Sequence, residues 1–570
     1  MSFQKSKKYQ SKSPNIEQHL EDGETFELNQ FTLTKDNLTV LKELKNGDMN
    51  EVDVSPPLFV DKRFQSIHTN EMDMVVKLKV NGRYITEKIP MQTLTSLGGF
   101  LANKGLPVAT SNVRDVQQFL IQQQRQTPLY PQYEHLGFIK DREGALFIGL
   151  SKALGHPDED VCPNLGKLPS DVSTKGSLNE WVQLVKQQAI GVTPLEFILG
   201  VAASGLIVGY YSQTGQDKDS LLVQLVGTST TGKTTAAQLA ISMFGPPIKG
   251  VKKLFQSFSS TENALPRMLG NNFGIPFLID ELSLAGTKDL TNFMYLLGEN
   301  REKGRMTETL ELGEQLSWHT SILMTGENSI TSQTNNNLGL LVRLFEYEIK
   351  QWTKDADHAD KIKSTVKQHY GHAGVAYADY LAQDFTRIVD SVQYWCEKFK
   401  QAMIVSDVRN RIAEKYAMIL AGLELLGEAL DITFNVDKVF QFILMNEKIL
   451  QRKRDIANSV YQDLIADVIR TPQLFHVNNT LSNAVTIKGL IKNHGNGSCS
   501  IYYLKSEFTQ FLNQQGYTNE TTVMSALKKK KYFKHEQGRV TTRTKIAGTR
   551  IPTYEFIVPY TTLKPWFNHL

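Results

Sequence analysis

The sequence predicts a multidomain chain of mixed α/β and α+β class, with a parallel-sheet core, an all-helical segment and a C-terminal winged helix. Apolar strand-like runs alternate with helix-like runs over residues 221–350, which is typical of a parallel sheet. Residues 355–465 keep a helical period with few breakers. Residues 500–570 read as short helices followed by a strand pair, which is the order of a winged helix.

The length of the chain requires several domains. It has 570 residues, whereas single cores stop growing at roughly 250–300 residues. We assign seven segments from shifts in composition and period. In order, they are a disordered basic tail at 1–20, an α+β N-terminal domain at 21–150, a linker or long loop at 151–177, the α/β core with its preceding helices at 178–354, a helical segment that completes this core at 355–469, a linker at 470–499 and the winged helix at 500–570.

The N-terminal region divides into the tail and a folded domain. The tail "MSFQKSKKYQSKS" has four lysines, no acid and no apolar run, so it is not a secretory signal. In "MDMVVKLKVNGRYITEKIP", alternating residues on both sides of Asn81-Gly82 predict a hairpin with a tight turn. The stretch "VRDVQQFLIQQQRQ" predicts an amphipathic helix. Neither element indicates a function for this domain.

The composition is that of an ordinary globular protein. Hydrophobic residues make up 41% of the chain, charged residues 21%, and the net charge is only +4. Three cysteines lie far apart without CxxC spacing, which indicates a reducing compartment and no zinc site. No run of 18 or more apolar residues is present, so we expect no membrane partner. These features predict a cytoplasmic protein.

The segment "LLVQLVGTSTTGKTTAAQLAISMF" contains the pattern of a phosphate-binding P-loop, G-x-x-x-x-G-K-[ST]. An apolar strand precedes the loop and a helix follows it, so backbone N–H groups and the helix N-terminus can face a phosphate. Lys233 would contact the β- and γ-phosphates of ATP, and the Thr234 hydroxyl would bind Mg²⁺. The candidate nucleotide-binding residues are Gly227, Thr228, Ser229, Thr230, Thr231, Gly232, Lys233, Thr234 and Thr235.

Two later strands end in polar residues that belong to the same site. In "NNFGIPFLIDELS" an apolar strand ends at Asp280 and Glu281. We expect Asp280 to hold Mg²⁺, and Glu281 to activate the attacking water. In "SWHTSILMTGENS" the third strand offers Thr325, Glu327 and Asn328 as the residue that senses the γ-phosphate. We favour Asn328, because an amide donates a hydrogen bond to phosphate and a carboxylate does not.

Arg343 is the one arginine in the apolar run "GLLVRLFEYE" and needs an anion if it is buried. Chemistry alone leaves two partners open. One is an acid of the same domain, such as Glu346. The other is the γ-phosphate of a neighbouring subunit, which an arginine finger would contact. Arg409 and Arg411 begin a later helix, and salt bridges are the ordinary explanation for both.

The order of P-loop, Asp-Glu pair, polar-tipped strand and "LLVRLF" arginine resembles AAA+ ATPases, and locally the MCM-type helicases. The stretches "STENALPRMLGNNFGIPFLIDEL" and "GENREKGRMTETLELGEQLSWHTSILMTGEN" resemble the MCM-like helicases of staphylococcal mobile elements, a group that includes cassette-chromosome helicases and pathogenicity-island replication initiators. This resemblance implies a hexameric ring with ATP between subunits, 3′ to 5′ movement on DNA, Arg343 acting in trans and Arg411 as the sensor-2 residue. The ending "TGEN" departs from the family's Asn-Pro, which leaves the assignment of the sensing residue open.

The same resemblance places a pore-lining hairpin before the third strand, between residues 300 and 318. Lys303 and Arg305 at its base would contact DNA phosphates. A charged surface hairpin is the alternative, because Glu308, Glu311 and Glu314 do not suit DNA contact.

The C-terminal region carries its own signal for nucleic acid. Between Glu520 and Arg550, nine Lys or Arg residues face two acids, so the basic charge of the chain is concentrated there. Asn519 would cap the second helix. We expect the start of this helix to contact base edges and the lysines and arginines to contact phosphates. The candidate DNA-binding residues are Thr521, Thr522, Ser525, Lys528, Lys529, Arg539, Arg543 and Lys545.

The leading hypothesis is therefore an ATP-driven, self-loading DNA helicase that begins replication of a mobile genetic element in a bacterial host. Its partners would be double-stranded origin DNA, single-stranded DNA and further copies of itself, and its cofactors ATP and Mg²⁺. One alternative is a non-unwinding initiator that binds the origin and recruits a host helicase, which makes host replication proteins candidate partners. Another is a translocase of a different kind.

Overall fold

The computed structural model describes residues 15–216, 218–258, 264–282, 290–302, 315–333, 338–477, 487–517, 520–534, 540–546 and 549–566. The chain divides into two compact units. The first ends at Ser170 and also includes Asn271–Phe273, and the second comprises Asp171–Gly270 and the chain from Gly274 onward. Five features named above lie outside the described residues, namely the tail at 1–14, the pair Lys303 and Arg305, the cap Asn519, the wing residue Arg539 and the tip of the predicted pore hairpin.

The first unit consists of three small sheets with helices packed on them. Its strands are β1 (Phe26–Leu28), β2 (Phe31–Leu33), β3 (Leu38–Glu43), β4 (Met49–Ser55), β5 (Leu58–Ser66), β6 (Met72–Val80), β7 (Arg83–Pro90), β8 (Leu129–Tyr133), β9 (Leu136–Lys140), β10 (Leu146–Gly149), β11 (Ala153–Leu154), β12 (Cys162–Pro163) and, later in the chain, β15 (Asn272–Phe273). The strand orders are β1-β2-β3-β4, β12-β8-β5-β6-β7 and β11-β10-β9-β15. Its helices are α1 (Ile16–Glu21), α2 (Leu97–Asn103) and α3 (Val113–Gln123), with 3-10 turns at Met91–Ser96 and Gln124–Gln126.

The predicted hairpin and amphipathic helix are both present in this unit. β6 and β7 pair antiparallel around Asn81 and Gly82, whose φ angles of 50° and 76° are those of the tight turn that suits a twisted hairpin. The disordered tail was expected to extend to residue 20, and this boundary is wrong. α1 begins at Ile16 and buries Ile16 and Leu20 against the core of the unit, so these apolar residues are structured. The linker expected at 151–177 contributes the short strands β11 and β12.

The centre of the second unit is a five-stranded parallel sheet. Its strands are β13 (Leu221–Val226), β14 (Phe255–Ser257), β16 (Phe277–Asp280), β17 (Ser321–Gly326) and β18 (Leu344–Glu348), in the order β14-β16-β17-β13-β18. Every neighbouring pair in it is parallel. The helices up to this point are α4 (Leu178–Leu184), α5 (Thr193–Gln213), α6 (Lys233–Ser242), α7 (Ala264–Leu269), α8 (Thr291–Gly298), α9 (Ile330–Gln333) and α10 (Leu338–Leu341), and a π-helical turn at Val185–Ala189 follows α4. Because the strands are parallel, all their carboxyl ends meet at one edge of the sheet.

A helical segment follows the sheet, as the periodicity predicts. It comprises α11 (Ala356–Val366), α12 (His372–Gln383), α13 (Thr386–Ala402), α14 (Arg409–Leu430) and α15 (Val436–Arg454). Glycines let α14 pack closely on α5, because a Cβ on Gly422 would lie 2.7 Å from the backbone nitrogen of Ser204. α5 is apolar on all sides. By length and composition it passes as a membrane span, but 89% of its most apolar window is buried inside the protein.

The C-terminal region is larger than the winged helix that the sequence predicts. Its elements are α16 (Ile456–Arg470), β19 (Phe475–Val477), β20 (Gly489–Asn493), β21 (Ser498–Leu504), α17 (Lys505–Gln514), α18 (Glu520–Lys529), β22 (Phe533–Lys534), β23 (Thr542–Ile546), β24 (Thr549–Pro559) and α19 (Tyr560–Leu563), with 3-10 turns at Pro472–Leu474 and Lys564–Trp566. The sheet order is β19-β20-β21-β24-β22, and β23 also pairs with β24.

Two expectations for this region need correction. The segment 470–499 is not a linker, because β19, β20 and the start of β21 lie in it and belong to the sheet. Apolar residues of α16 and β21 share one core with those of α17 and α18, so residues from Ile456 onward fold together. The short helices at 500–570 were expected to be followed by a strand pair. In the described residues three strands take part instead of two, because β22 and β23 each pair with the longer β24.

Candidate functional site

The loop between β13 and α6 has a curled backbone that requires small residues. Gly227 and Gly232 have φ angles of 156° and 86°. A Cβ on Gly232 would lie 2.4 Å from the Thr353 hydroxyl oxygen, so only glycine fits there. Thr230 also has a positive φ, 70°, which β-branched residues rarely adopt. Loops of this kind direct successive N–H groups at an anion, and the N-terminus of α6 at Lys233 adds partial positive charge.

The Lys233 ammonium is held by the loop itself. Its Nζ donates to the carbonyl oxygens of Gly227 and Thr228 at 2.7 and 2.6 Å. Burial lowers the pKa of Lys233, against the attraction of Glu327 and Asp280. A phosphate oxyanion is a stronger hydrogen-bond partner for an ammonium than two neutral carbonyls. The side chain is therefore positioned to bind a phosphate that enters the loop.

Asp280 lies at the carboxyl end of β16 and connects the loop to the rest of the sheet edge. Only 3% of its surface is exposed. Its Oδ1 accepts hydrogen bonds from the Thr234 hydroxyl, at 3.1 Å, and from the Thr325 hydroxyl. The register of β16 and β17 places Asp280 beside Thr325, and Thr234 contacts the same carboxylate from the first turn of α6. A hydroxyl and a carboxylate side by side are hard oxygen donors, which is the set that Mg²⁺ prefers.

Glu281 follows Asp280 directly but has a different environment. Its φ is 63°, and its side chain is 55% exposed, so the carboxylate turns out of the sheet edge toward solvent. The Ser257 hydroxyl at the end of β14 donates to it at 3.4 Å. The Thr325 hydroxyl accepts a hydrogen bond from the Glu281 backbone N–H at 3.2 Å. An exposed carboxylate at this edge can reach a water molecule in front of a bound phosphate.

Lys249 joins the two carboxylates, and no sequence signal indicated it. Its Nζ lies 2.9 Å from Asp280 Oδ2 and 3.1 Å from Glu281 Oε2. Although burial alone would lower the pKa of Lys249, the two carboxylates raise it. Lys249 belongs to a loop that runs along β14, far from either motif in sequence. Sequence reasoning could not find it, because a lysine in such a loop is ordinarily solvated.

These residues surround one cleft of about 440 Å³ at the carboxyl edge of the sheet. Its walls are Ser229, Thr230, Thr231, Gly232, Lys233, Thr234, Thr235, Asp280, Glu281, Thr325, Gly326, Glu327 and Lys363. Most of the predicted nucleotide-binding residues therefore come together. Lys363, on α11, is a further cation that the sequence did not indicate. The size suits a nucleotide, and Thr234 with Asp280 would hold Mg²⁺ beside its phosphates.

The favoured sensing residue does not line this cleft. Asn328 is exposed, and its backbone carbonyl oxygen accepts a hydrogen bond from Gln224 Nε2 at 2.8 Å. Thr325 and Glu327, the two competing candidates, do line it. Thr325 contacts both Asp280 and Glu281, whereas the Glu327 carboxylate accepts a hydrogen bond from Ser229 of the loop. Asn328 therefore stays a prediction as the sensing residue, and the positions of Thr325 and Glu327 at the cleft favour these two candidates.

Arg343 and Arg411 lie apart from the cleft, in a group that we call the Asp219 cluster. It consists of Asp219, Arg343, Arg411 and Lys415. Arg411 Nη2 donates to Asp219 Oδ2, and Lys415 Nζ lies 3.7 Å from the same oxygen. Burial by itself would raise the pKa of Asp219, but the three cations of the cluster together hold it below its ordinary value.

Glu346, the acid considered as the partner of Arg343, has other bonds. It accepts hydrogen bonds from the Ser329 hydroxyl at 2.7 Å and from the Thr331 backbone N–H at 2.8 Å. Arg343 instead lies over the ring of Tyr295, with 5.3 Å between its guanidinium carbon and the ring centre. Arg343 Nη1 also donates to the Gly339 carbonyl oxygen at 3.4 Å. Arg343 acts on Asp219 through its charge and not through a contact.

The predicted DNA-binding residues of the C-terminal region share exposed faces. α18 packs Val523, Met524 and Leu527 into the core. Its opposite face is exposed and carries Thr521, Thr522, Ser525, Lys528 and Lys529. The Lys529 ammonium lies 2.5 Å from the Asp407 carboxylate, and both side chains are largely exposed. Such a pair exchanges readily with solvent ions, so it does not prevent contact with DNA.

The hairpin of β23 and β24 adds a second basic surface. Arg543 and Lys545 are exposed and alternate with buried Thr544 and Ile546 along β23. Lys545 is directly opposite Arg550 on β24, which is exposed as well. One face of the hairpin therefore presents arginine and lysine side chains, as phosphate contact requires.

The fold is thus a mixed α/β chain with a parallel sheet and a C-terminal helix-turn-helix domain. The family described as "Domain of unknown function (DUF927)" matches residues 26–317, which is more than half of the chain, so the protein belongs to this family. The family described as "Cch helix turn helix domain" matches residues 455–559. This match begins where α16 begins and agrees with the shared core of the C-terminal region.

Solved structures extend the comparison to nearly the whole chain. The structure described as "SCCmec type IV Cch - active helicase" has a TM-score of 0.76 and 24% identity, over 95% of this chain and 99% of that one. The two proteins share a fold. The C-terminal region of NrS-1 covers 87% of this chain and 95% of its own at 11% identity, with a TM-score of only 0.28. Among curated proteins, none matches the chain in sequence.

Proposed function

We propose that this protein is an ATP-driven DNA helicase of the AAA+ type that acts as a ring of six and begins replication of a mobile genetic element. The observation that carries the proposal is the cleft in which the P-loop, Asp280 and Glu281 meet at one edge of a parallel sheet. The sheet order, with the third strand between the P-loop strand and the strand of Asp280, is the order that such a motor needs. The fold shared with a structure described as an active helicase supports it.

Each residue of the cleft would have its own role in ATP hydrolysis. Lys233 and the loop N–H groups bind the β- and γ-phosphates. Thr234 and Asp280 hold Mg²⁺, which supplies positive charge for the phosphate oxygens when bound. Glu281 accepts the proton of the attacking water. Thr325 is a positioning residue, since its hydroxyl fixes Asp280 and receives the Glu281 N–H.

The basic C-terminal domain would bind the DNA on which the motor acts. α18 would enter the major groove of origin DNA, and the hairpin of β23 and β24 would contact phosphates. Loading at an origin, 3′ to 5′ movement along single-stranded DNA and the bacterial cytoplasm as the place of action belong to the same proposal. The match of residues 455–559 to a helix-turn-helix family supports the DNA-binding part.

ATP turnover tests the proposal at its centre. We expect purified protein to hydrolyse ATP with Mg²⁺ and to do so faster with single-stranded DNA. Glu281→Gln should bind ATP with wild-type affinity and lose about 100-fold or more in turnover, because only the proton acceptor is removed. Glu397→Gln is a matched control, since Glu397 is an exposed acid that pairs with Lys400 far from the cleft. Equal turnover of wild type and Glu281→Gln would contradict the proposed chemistry.

A second candidate is the non-unwinding initiator, which Lys249 favours. Lys249 Nζ contacts the carboxylates of both Asp280 and Glu281, so both acids have a partner and ATP could be held as a clamp without turnover. Replication of a plasmid with the element's origin separates the two functions. The helicase needs hydrolysis, so Glu281→Gln should abolish replication. A clamp needs only binding, so replication by Glu281→Gln would favour the initiator.

A further inference from the structure

The helical segment contains a second cavity, of about 500 Å³, which shares no lining residue with the P-loop cleft. α13 supplies Tyr394, Trp395 and Lys398 to its wall, and α14 supplies Glu424. The rest of the wall is formed by residues 434–438, at the start of α15. The cavity is as large as the P-loop cleft, so it has room for one nucleotide.

Two aromatic rings of this cavity are covered by a lysine alone. Trp395 is buried, whereas Tyr394 is 52% exposed, and the two ring centres lie 5.1 Å apart. The Lys398 ammonium lies over both rings, 4.7 Å from the centre of Tyr394 and 4.5 Å from that of Trp395. Stacking of a nucleic-acid base on an aromatic ring is stronger than the contact of a partly exposed cation with it. A base can therefore replace the ammonium over Tyr394.

Glu424 gives the same cavity a hydrogen-bond acceptor in a fixed position. Its Oε2 accepts from the Ser391 hydroxyl at 2.6 Å and from Trp395 Nε1 at 3.0 Å. Its Oε1 has no donor among the residues that the structure describes. An ionised carboxylate only accepts hydrogen bonds, so it favours a base with an exocyclic amino group, as cytosine has and thymine has not.

The charges on the wall cancel, which makes the base and not the phosphate the main determinant. Lys398 and Lys438 are opposed by Glu424 and Asp437. Binding through phosphate alone needs an excess of positive charge, which this cavity does not have. Once a base lies on Tyr394, the Lys398 ammonium is released to pair with the phosphate of the same nucleotide. The contacts that decide binding are therefore the stack and the hydrogen bond to Glu424.

We infer that this cavity binds one unpaired nucleotide, whose base stacks on Tyr394 and donates its exocyclic amino group to Glu424. The inference rests on the proposed function for its DNA ligand, and it adds a site that reads a base on the helical segment of the motor. A base within a duplex cannot enter, because both its faces are covered by neighbouring bases. Single-stranded DNA and a free mononucleotide offer the same chemistry, and the test has an arm for each.

The test compares two labelled single strands of about ten nucleotides, one of cytosine and one of thymine, by fluorescence anisotropy without ATP. Salt at about 200 mM weakens phosphate contacts elsewhere on the protein, and these contacts are the same for both strands. We expect the wild type to bind the cytosine strand about tenfold more tightly. Tyr394→Ala should weaken binding of this strand about tenfold, because the stack is lost. Glu424→Gln should remove the preference, since an amide accepts from an amino group and also donates to a carbonyl.

A matched variant and a mononucleotide complete the test. Tyr380 on α12 also has a cation over its ring, with the guanidinium carbon of Arg387 4.2 Å from the ring centre, and it lies outside the cavity. Tyr380→Ala should therefore bind both strands as the wild type does. Deoxycytidine monophosphate is titrated in parallel, and it lacks the β- and γ-phosphates that Lys233 would contact. Tyr394 is half exposed, so Tyr394→Ala should fold, and it decides the inference alone if Glu424→Gln does not fold.

Each result decides the inference. Dependence of the cytosine strand on Tyr394 and Glu424 supports it and assigns the cavity to single-stranded DNA. The same dependence for deoxycytidine monophosphate alone supports it and assigns the cavity to a free mononucleotide. If neither ligand depends on the two residues, the inference is overturned, while strand displacement by the wild type leaves the proposed function standing. A wild type that binds neither strand would contradict the proposed DNA substrate, and the mononucleotide would then decide the inference.

Discussion

Single residues at the carboxyl edge of the sheet decide whether the cleft can hydrolyse a nucleotide, and Thr325 is central among them. Its hydroxyl donates to the Asp280 carboxylate and accepts from the Glu281 N–H, so one side chain fixes both acids. Asp280 is buried by the sheet, whereas Glu281 is turned outward by its positive φ. Two neighbouring acids thus have different environments because their backbone positions differ.

Thr325→Val should reduce ATP turnover by about 10- to 100-fold, because a methyl group cannot orient Asp280. ATP affinity should change little, since the loop and Lys233 are untouched. Asn328→Ala should keep turnover near that of the wild type, because Asn328 is exposed and outside the cleft. Steady-state ATPase rates with a parallel binding titration check both variants. A large loss in Asn328→Ala with an active Thr325→Val would restore Asn328 as the sensing residue.

Some of these residues could be predicted from sequence and others could not, for a physical reason. Lys233, Thr234 and Asp280 lie in motifs because a phosphate loop and a strand end impose local residue types. Lys249 contacts two acids of the cleft from a loop, and Lys363 lines the cleft from a helix, and neither position has such a local requirement. The burial of Lys415 could not be predicted either, because a lysine in a helix is ordinarily exposed and only tertiary packing buries this one.

At the scale of elements, the boundary of the C-terminal domain is set by which residues share its hydrophobic core. α16 and the strands after it pack with α17 and α18, although the segment 470–499 was expected to be a linker. The helices were predicted because their period is local. The strand partners were not predicted, because β24 pairs with β21 and β22 as well as with its neighbour β23, and turn residues alone do not reveal the pairing with β21 and β22.

Truncation tests that boundary. A chain that ends at residue 454 should remain folded and soluble, because the cut falls before the C-terminal core begins at Ile456. A chain that ends at residue 499 should aggregate, since α16 and β20 would then expose apolar residues that β24 and α17 normally cover. Size-exclusion chromatography and thermal melting compare the two. A well-folded chain ending at 499 would contradict the shared core.

The basic hairpin gives a second prediction for an element. Arg543→Ala combined with Lys545→Ala should weaken duplex binding about tenfold for any sequence and lower the salt dependence by about two counterions. Folding should not change, because both side chains are exposed. Lys564→Ala, which removes a lysine from the terminal turn, serves as the control. Fluorescence anisotropy at several salt concentrations measures both effects, and an unchanged salt slope would exclude the hairpin from phosphate contact.

At the scale of the whole molecule, the protein combines a cleft at one edge of a sheet with a cation cluster at the other edge and a basic helix-turn-helix domain. The cleft is where the proposed ring would bind and hydrolyse ATP. The basic helix-turn-helix domain would bind the DNA on which the proposed ring is loaded. The central claim is that ATP hydrolysis in this arrangement separates DNA strands.

Strand displacement on a forked DNA duplex tests that claim most directly. With ATP and Mg²⁺, the wild-type protein should release a labelled strand from the fork, and Glu281→Gln should bind the fork without releasing it. A substrate with only a 3′ tail should be unwound and one with only a 5′ tail should not. Hydrolysis of ATP by the wild type without any strand release, on every substrate, would contradict the claim that this protein is a helicase.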